Sequence, residues 1–349
     1  MKLGKKIATG LFLSTMTAML FCGCGTSGQA DTDSEKDKIK IVCASFPEYD
    51  WTRQIVGEEN ENIELTLIVN NGMDIHNYQP SVEDMVKIGD CDLIIYNGGT
   101  SEEWIEDAVE DSQKKPQMIS VMEFLEDDVV EEEVVEGMEE EEHAHETEAD
   151  HEEEHAHETE AGQEEVDHEE DHEYDEHVWL SLKNAEKMVN KIAEAVVKID
   201  SEQRALYETN KNAYLEKLES LDASYEAAVQ EAKGKILLFG DRFPFRYLTE
   251  DYGLTYYAAF PGCSAETEAS FETIVFLADK IEECKLPCIL TIDGSDKTIA
   301  ESIQKNVDGD VAIKELNSLQ SVSEAQITEG ITYLSVMEQN LEVIKEALQ

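Results

Sequence analysis

Ile63-Glu64-Leu65-Thr66-Leu67-Ile68-Val69-Asn70-Asn71-Gly72-Met73-Asp74-Ile75-His76-Asn77-Tyr78-Gln79-Pro80-Ser81 reads as a strand, a polar loop and a helix start, in that order. Ile63 to Val69 is β-branched and apolar, the signature of a buried strand. Ser81 is a natural N-cap for a helix opening at Val82. The same rhythm extends outward. Ile39 to Cys43 and Leu93 to Tyr96 are further strand runs, with helical stretches at Trp51–Val56 and Val82–Ile88. Short buried strands alternating with helices predict a parallel sheet, because parallel strands need crossover helices that cover both faces.

The far end of the chain repeats the pattern. Ile236–Phe239, Leu254–Ala259, Ile289–Ile292 and Val311–Glu315 are strand candidates; Phe271–Ile281, Thr298–Lys305 and Tyr333–Leu348 are helix candidates. Between the two halves, residues 183–232 read as helix. Tyr207, Tyr214, Leu218, Leu221, Tyr225 and Ala228 fall on one stripe. A helix from about Glu202 to Glu231 would be roughly 45 Å long at the α-helical rise, enough to brace two domains. The expected fold class is α/β: two lobes with parallel-type sheets joined by a long rigid helix, with a metal site between the lobes.

The chain has 349 residues, 41% of them apolar, and a formal net charge of −53. That charge repels a phosphate backbone, so nucleic acid is excluded as a partner and cations are favoured. Lys2, Lys5 and Lys6 precede an apolar stretch from Ile7 to Phe21, too short for a spanning helix and built like a secretory signal. It ends in Phe-Cys-Gly-Cys-Gly at 21–25, where Gly23 before Cys24 resembles a bacterial lipoprotein cleavage site. Cleavage there would leave Cys24 to carry lipid. Phe21 stands where that pattern usually has Leu, and a simple cleaved signal with incidental cysteines is the plainer alternative. Five further cysteines remain: Cys43 and Cys91 read as buried thiols beside strands, and Cys284 and Cys288 could pair with each other or with Cys263.

From Glu123 to Glu176 the composition changes. No Lys or Arg occurs between Gln117 and Lys183, and H-A-H-E-T-E-A appears twice, at 143–149 and 155–161. Such a stretch buries too little apolar surface to offset its ordering entropy, so most of it is expected to be a disordered insertion. Seven of the nine histidines lie in it: His143, His145, His151, His155, His157, His168 and His172. Imidazoles among carboxylates suit zinc, copper or nickel. A charge run is usually only a solvated spacer, but histidine this concentrated reads as a weak multivalent metal collector. The other two histidines are His76, in the loop quoted above, and His177, in Asp175-Glu176-His177-Val178-Trp179-Leu180-Ser181 where the insertion returns to the fold. A lone histidine is more often structural than a ligand. One in a loop at the carboxyl end of a strand and one at a helix start fed directly by a histidine-rich segment are metal-ligand candidates.

Several segments together resemble the solute-binding lipoproteins of zinc and manganese ABC importers, the zinc branch above all. They are Ser45-Phe46-Pro47, His76 to Ser81, Cys91 to Gly98, Asp175 to Trp179, Phe245 to Leu248 with Tyr252-Gly253-Leu254, and Gly330 to Leu334. The likeness runs from Ile39 to Leu348, and an acidic histidine-rich insertion before the second ligand histidine is characteristic of the zinc-binding members. The resemblance implies a metal held between the lobes, with His76 and His177 as its first two ligands. The third family position falls on Arg242, which stays protonated and cannot ligate. Asp241 beside it is the expected substitute, although a salt bridge to Arg242 or Arg246 is its plainer role. The fourth position falls on Asn317, with Asp293 as a reserve. Glu266, Glu268 and Ser270 resemble a helix start of structural use.

Two histidines and a carboxylate suit Zn²⁺ in four-coordination, whereas more oxygen donors would favour Mn²⁺. The chain is therefore read as residues 1–23 signal, 24–37 lipidated tether, 38–200 first lobe with the insertion at 123–176, 201–232 linking helix and 233–349 second lobe. The resemblance implies a monomer on the outer face of the cell membrane that passes zinc to a membrane permease and catalyses nothing. A zinc hydrolase would use a similar ligand set, but no His-Glu-x-x-His signature is present. An adhesin or acidic metal store would have no need of His76 and His177.

Overall fold

In the computed structural model, residues 38–57, 60–139, 174–264 and 268–349 are described. Ile39–Cys43 (β1), Ile63–Leu67 (β2), Leu93–Tyr96 (β3) and Gln117–Ser120 (β4) form one sheet in the order β2-β1-β3-β4, parallel throughout. Helices Phe46–Val56 (α1), Val82–Asp90 (α2) and Glu103–Asp111 (α3) make its crossovers, and Val121–Leu125 (α4) follows β4. Ser81 caps α2 as its residue type predicts. Its side chain accepts from the Asp84 backbone while the Asp84 carboxylate reaches back to the cap, a full capping box.

The second lobe repeats this topology. Ile236–Phe243 (β5), Thr255–Pro261 (β6), Cys288–Thr291 (β7) and Ala312–Glu315 (β8) are ordered β6-β5-β7-β8, again all parallel. In both sheets the first strand pairs with the second on one side and the third on the other. Successive crossovers therefore diverge, and the loops at the carboxyl strand ends open a crevice there.

Leu182–Ile199 (α5) and the 28-residue helix Arg204–Glu231 (α6) connect the lobes. The helical region breaks at Asp200, whose carboxylate accepts from Tyr207 Oη at 2.8 Å. The buried stripe of α6 is Tyr207, Tyr214, Leu218, Leu221, Tyr225 and Val229; the expected Ala228 is only half-buried beside it. This stripe packs on α1 and α5 from one lobe, and on Arg246–Tyr252 (α7) and the C-terminal helix Tyr333–Ala347 (α11) from the other. Phe271–Cys284 (α8), Thr298–Lys305 (α9) and Glu324–Thr328 (α10) complete the second lobe.

The lobes share one core. A single apolar cluster includes Ile41 and Trp51 of the first lobe, Tyr207 and Tyr225 of α6, and Phe239 and Tyr333 of the second. Buried polar groups cross with it: Tyr333 Oη donates to Trp179 O at 2.7 Å, Trp179 Nε1 to Ser318 O at 2.8 Å, and the Tyr333 amide to Asp50 Oδ2 at 2.8 Å. A shared apolar core resists the free hinge motion expected of small polar interdomain contacts.

Three expectations change. The strand expected to end at Phe239 runs on to Phe243, with a register shift between Phe239 and Arg242, so Asp241 and Arg242 lie in a bulged strand and not in a loop. Strand β4 and helices α3 and α7 had not been foreseen. Both flanks of the 123–176 insertion belong to the fold: Glu131 bridges to Tyr174, Met138 is buried, and the Glu139 amide donates to Ala259 O at 3.0 Å. The insertion's seven histidines, the signal segment with Cys24, and Glu266 lie outside the described residues. Cys43 and Cys91 are buried as expected, and all five described cysteines, including Cys263, Cys284 and Cys288, are free thiols. Among the described residues, no helix is long and apolar enough to cross a membrane.

Candidate metal site

His76 sits in a 3₁₀ turn, Ile75–Asn77, after β2; the Asp74 side chain caps that turn by accepting from the His76 amide at 3.0 Å. His177 sits just before α5, and its amide donates to Asp175 Oδ1 at 2.8 Å. These side-chain turns fix both backbones where no regular structure does so. The two Nε2 atoms meet at 3.1 Å. His177 Nδ1 lies 2.9 Å from Asp175 Oδ1, and His76 Nδ1 lies 2.8 Å from Ser101 Oγ and 3.6 Å from Glu176 Oε2. With each Nδ1 proton given to these partners, both Nε2 lone pairs face the same point. A carboxylate behind a ligand histidine is the usual way of fixing its tautomer and raising its basicity.

Two glycines make the room. A Cβ on Gly262 would stand 2.9 Å from His177 Cε1 and 2.9 Å from Phe243 O, so the ring can lie on this backbone only if the residue has no side chain. Gly99 has φ of +80°, and a Cβ there would stand 2.4 Å from Glu176 Oε1. That Glu176 oxygen accepts from Thr100 Oγ1 at 3.0 Å and the Ser101 amide at 3.1 Å, which holds Ser101 against His76.

His177 is fully buried and His76 nearly so. Burial, then the charge of the neighbouring His177 ring, push the His76 pKa down to about 4, against the pull of Asp74 and Glu176. Behind the loop lie further buried carboxyls. Burial raises Glu48 to about 7 and Glu102 well above its usual range, and each has one carboxyl oxygen without a hydrogen-bond partner.

The second lobe contributes differently from the sequence reading. Asp241 Oδ1 accepts from the Arg242 amide at 2.9 Å, Oδ2 from the Ile292 amide at 3.5 Å, and Ser295 also bonds the carboxylate. Arg242 pairs across the lobes with Asp74, and Arg246 pairs with Glu133 at 2.6 Å, so neither forms the side-chain ion pair considered for Asp241. Asp293 Oδ1 accepts from Ser318 N and Oγ, both at 2.6 Å. Asn317 Oδ1 accepts from the Leu319 amide at 2.8 Å. The group that converges on the histidines is Cys263, after β6: one ligand atom from each of His76, His177 and Cys263 lies within 4.8 Å of the other two. Gln320, after β8, places its amide 2.7 Å from His177 Nε2. Neither residue had been singled out as a site residue; the position of Cys263 right after a strand end was the one available signal.

The sequence profile of the family described as ZnuA, zinc-uptake complex component A, periplasmic, matches residues 41–347. The zinc-binding lipoprotein AdcA of Streptococcus pneumoniae is 31% identical over 342 residues, covering 98% of this chain and 61% of that protein, so the chain spans about three-fifths of that relative's length. The high-affinity zinc uptake system protein ZnuA of Bacillus subtilis is 30% identical over 341 residues, covering 97% of both. The crystal structure of the Zn(II)-bound ZnuA-like domain of S. pneumoniae AdcA superposes with a TM-score of 0.65 at 26% identity, over 89% of this chain and 99% of that one. The two-lobed fold, the two histidines set in crevice loops and these likenesses agree: the chain belongs to the ZnuA family of zinc-uptake components.

Proposed function

We propose that this protein captures Zn²⁺ outside the cell and delivers it to the membrane permease of an ABC importer, with the ion as cargo and His76 and His177 as its ligands. The observation that carries this reading is the Nε2–Nε2 separation of 3.1 Å, with both Nδ1 atoms tied to polar partners. Two ligands of a tetrahedral zinc with bonds of about 2.0–2.1 Å stand roughly 3.3 Å apart, so the pair needs almost no rearrangement. Two inward lone pairs at that distance repel one another unless a cation or a proton lies between them. The names of the relatives favour zinc over manganese.

The shared core suits a carrier that is rigid and presents one closed site. Attachment through lipid on Cys24, a location on the outer face of the membrane and action as a monomer complete the proposal; they rest on the lipoprotein relatives and on the signal-like N-terminus. The histidine-rich part of the insertion is proposed as an accessory collector that feeds the site.

Calorimetric titration with zinc tests the reading. His76→Ala and His177→Ala should each weaken the tightest site by at least about 10-fold, the scale on which even supporting residues act. Unchanged affinity in both variants overturns the assignment.

A further inference from the structure

We propose that Cys263 is the metal donor of the second lobe, binding Zn²⁺ as a thiolate beside His76 and His177. This inference rests on the zinc reading above and specifies the chemistry of the same site.

Three observations converge. The first is distance: the three ligand atoms lie within 4.8 Å of one another, an envelope that contains all the edges of a tetrahedral site, about 3.3 Å between nitrogens and about 3.6 Å from sulfur to nitrogen. The second is placement. Gly262 lies against the His177 ring, and the next residue's amide donates to Glu132 Oε1 at 2.9 Å, so Cys263 is held beside the ring from both directions. The third is the competition. Asp241 spends both carboxylate oxygens on backbone amides of its own lobe, Asn317 Oδ1 accepts from the Leu319 amide, Asp293 Oδ1 holds Ser318, and Arg242 carries the wrong charge. Cys263 is a free thiol at the carboxyl end of β6, on the opposite side of the crevice from His76.

The chemistry balances simply. The S–H bond of Cys263 breaks, a Zn–S bond forms, and the proton leaves to solvent. The bound ion then carries one net positive charge with the thiolate, next to Asp175, Glu176 and Glu132. Two imidazoles and a thiolate are softer than the oxygen-rich set that manganese prefers, so Cys263 is also a selectivity determinant. Gln320, whose amide nitrogen lies on His177 Nε2 while its carbonyl oxygen accepts from Ser318 Oγ at 3.0 Å, must yield when the ion arrives.

Cobalt(II) is the probe, because a thiolate ligand gives a near-ultraviolet sulfur-to-cobalt charge-transfer band that imidazole and carboxylate do not. With one equivalent of Co²⁺, the full chain and Cys284→Ser should both show the band. Cys263→Ser should lose it, keep visible tetrahedral bands, and bind zinc at least about 10-fold more weakly. Asp241→Asn should leave band and affinity unchanged. Cobalt bound without the band in the unaltered chain, or a band that survives in Cys263→Ser, overturns the thiolate. A charge-transfer band lost in Asp241→Asn but kept in Cys263→Ser overturns it equally. Failure of the underlying zinc reading looks different: His76→Ala and His177→Ala would then bind Co²⁺ as tightly as the unaltered chain.

Discussion

Nε2 of His76 and Nε2 of His177 stand 3.1 Å apart although 101 residues separate them in the chain. One ring is held by Ser101 and Glu176, the other by Asp175. The pair is therefore oriented by neighbours, and each neighbour is a handle on metal affinity that leaves the two proposed ligands themselves untouched.

Asp175→Asn is the cleanest such handle. Asparagine keeps the shape and an acceptor oxygen toward His177 Nδ1 but removes the charge that strengthens the ligand. Zinc affinity should fall about 10- to 100-fold, with the circular dichroism spectrum unchanged. Full affinity in calorimetry would show that Asp175 serves only to shape its turn.

Gly262→Ala places a methyl group 2.9 Å from the His177 ring and from Phe243 O. Something must shift, at a cost of about 1–3 kcal/mol for overpacking, and the ring is one of the groups displaced. Both the denaturant midpoint and zinc affinity should fall. Gly234→Ala, with nothing within 4 Å of the new carbon, is the control and should change neither. Equal behaviour of the two variants refutes the contact.

Glu48 sets a pH dependence of folding. Burial lifts its pKa from 4.5 to about 7, so the folded state holds a proton that the unfolded state releases. Its contribution is fully present below pH 4.5 and is lost as pH rises through 7, a total of about 3 kcal/mol at 1.36 kcal/mol per pKa unit. Buried His76 acts in the opposite direction: with its pKa lowered from 6.5 to about 4, it costs stability as pH falls between those values. Glu48→Gln keeps an acceptor for Ser45 Oγ and removes only the first effect. Denaturant unfolding of metal-free protein should therefore show the variant gaining on the unaltered chain between pH 5 and pH 8. A constant difference across that range excludes Glu48 as the titrating group.

Changing His143, His145, His151, His155, His157, His168 and His172 to Gln should remove several weak zinc sites and leave one tight site, read by equilibrium dialysis. This substitution is preferable to a deletion starting at Glu139, because the Glu139 amide bonds Ala259 and its side chain bonds Ser270. Loss of the tight site would reverse the roles assigned to loop and crevice.

Local chemistry made much of this protein legible in its sequence. The alternation of apolar strands with amphipathic helices requires parallel sheets, Ser81 caps a helix as its hydroxyl dictates, and the tyrosine-rich stripe of α6 follows from a period of 3.6 residues. His76 and His177, which the structure brings together, stood out as candidates because one follows a strand and the other precedes a helix, in loops of the kind where α/β sheets gather ligands. Which second-lobe group approaches the histidines was not legible. Asp241 reads as a loop residue only if β5 stops at Phe239; sheet pairing carries β5 on to Phe243 through a bulge, and pairing is a long-range property that no local run encodes. The approach of Cys263 to two histidines from the other lobe depends on where β6 ends, on Gly262 admitting the His177 ring, and on the insertion's ordered flank holding the Cys263 backbone through Glu132. Each is a contact between segments far apart in the chain, so the tertiary structure alone decided it.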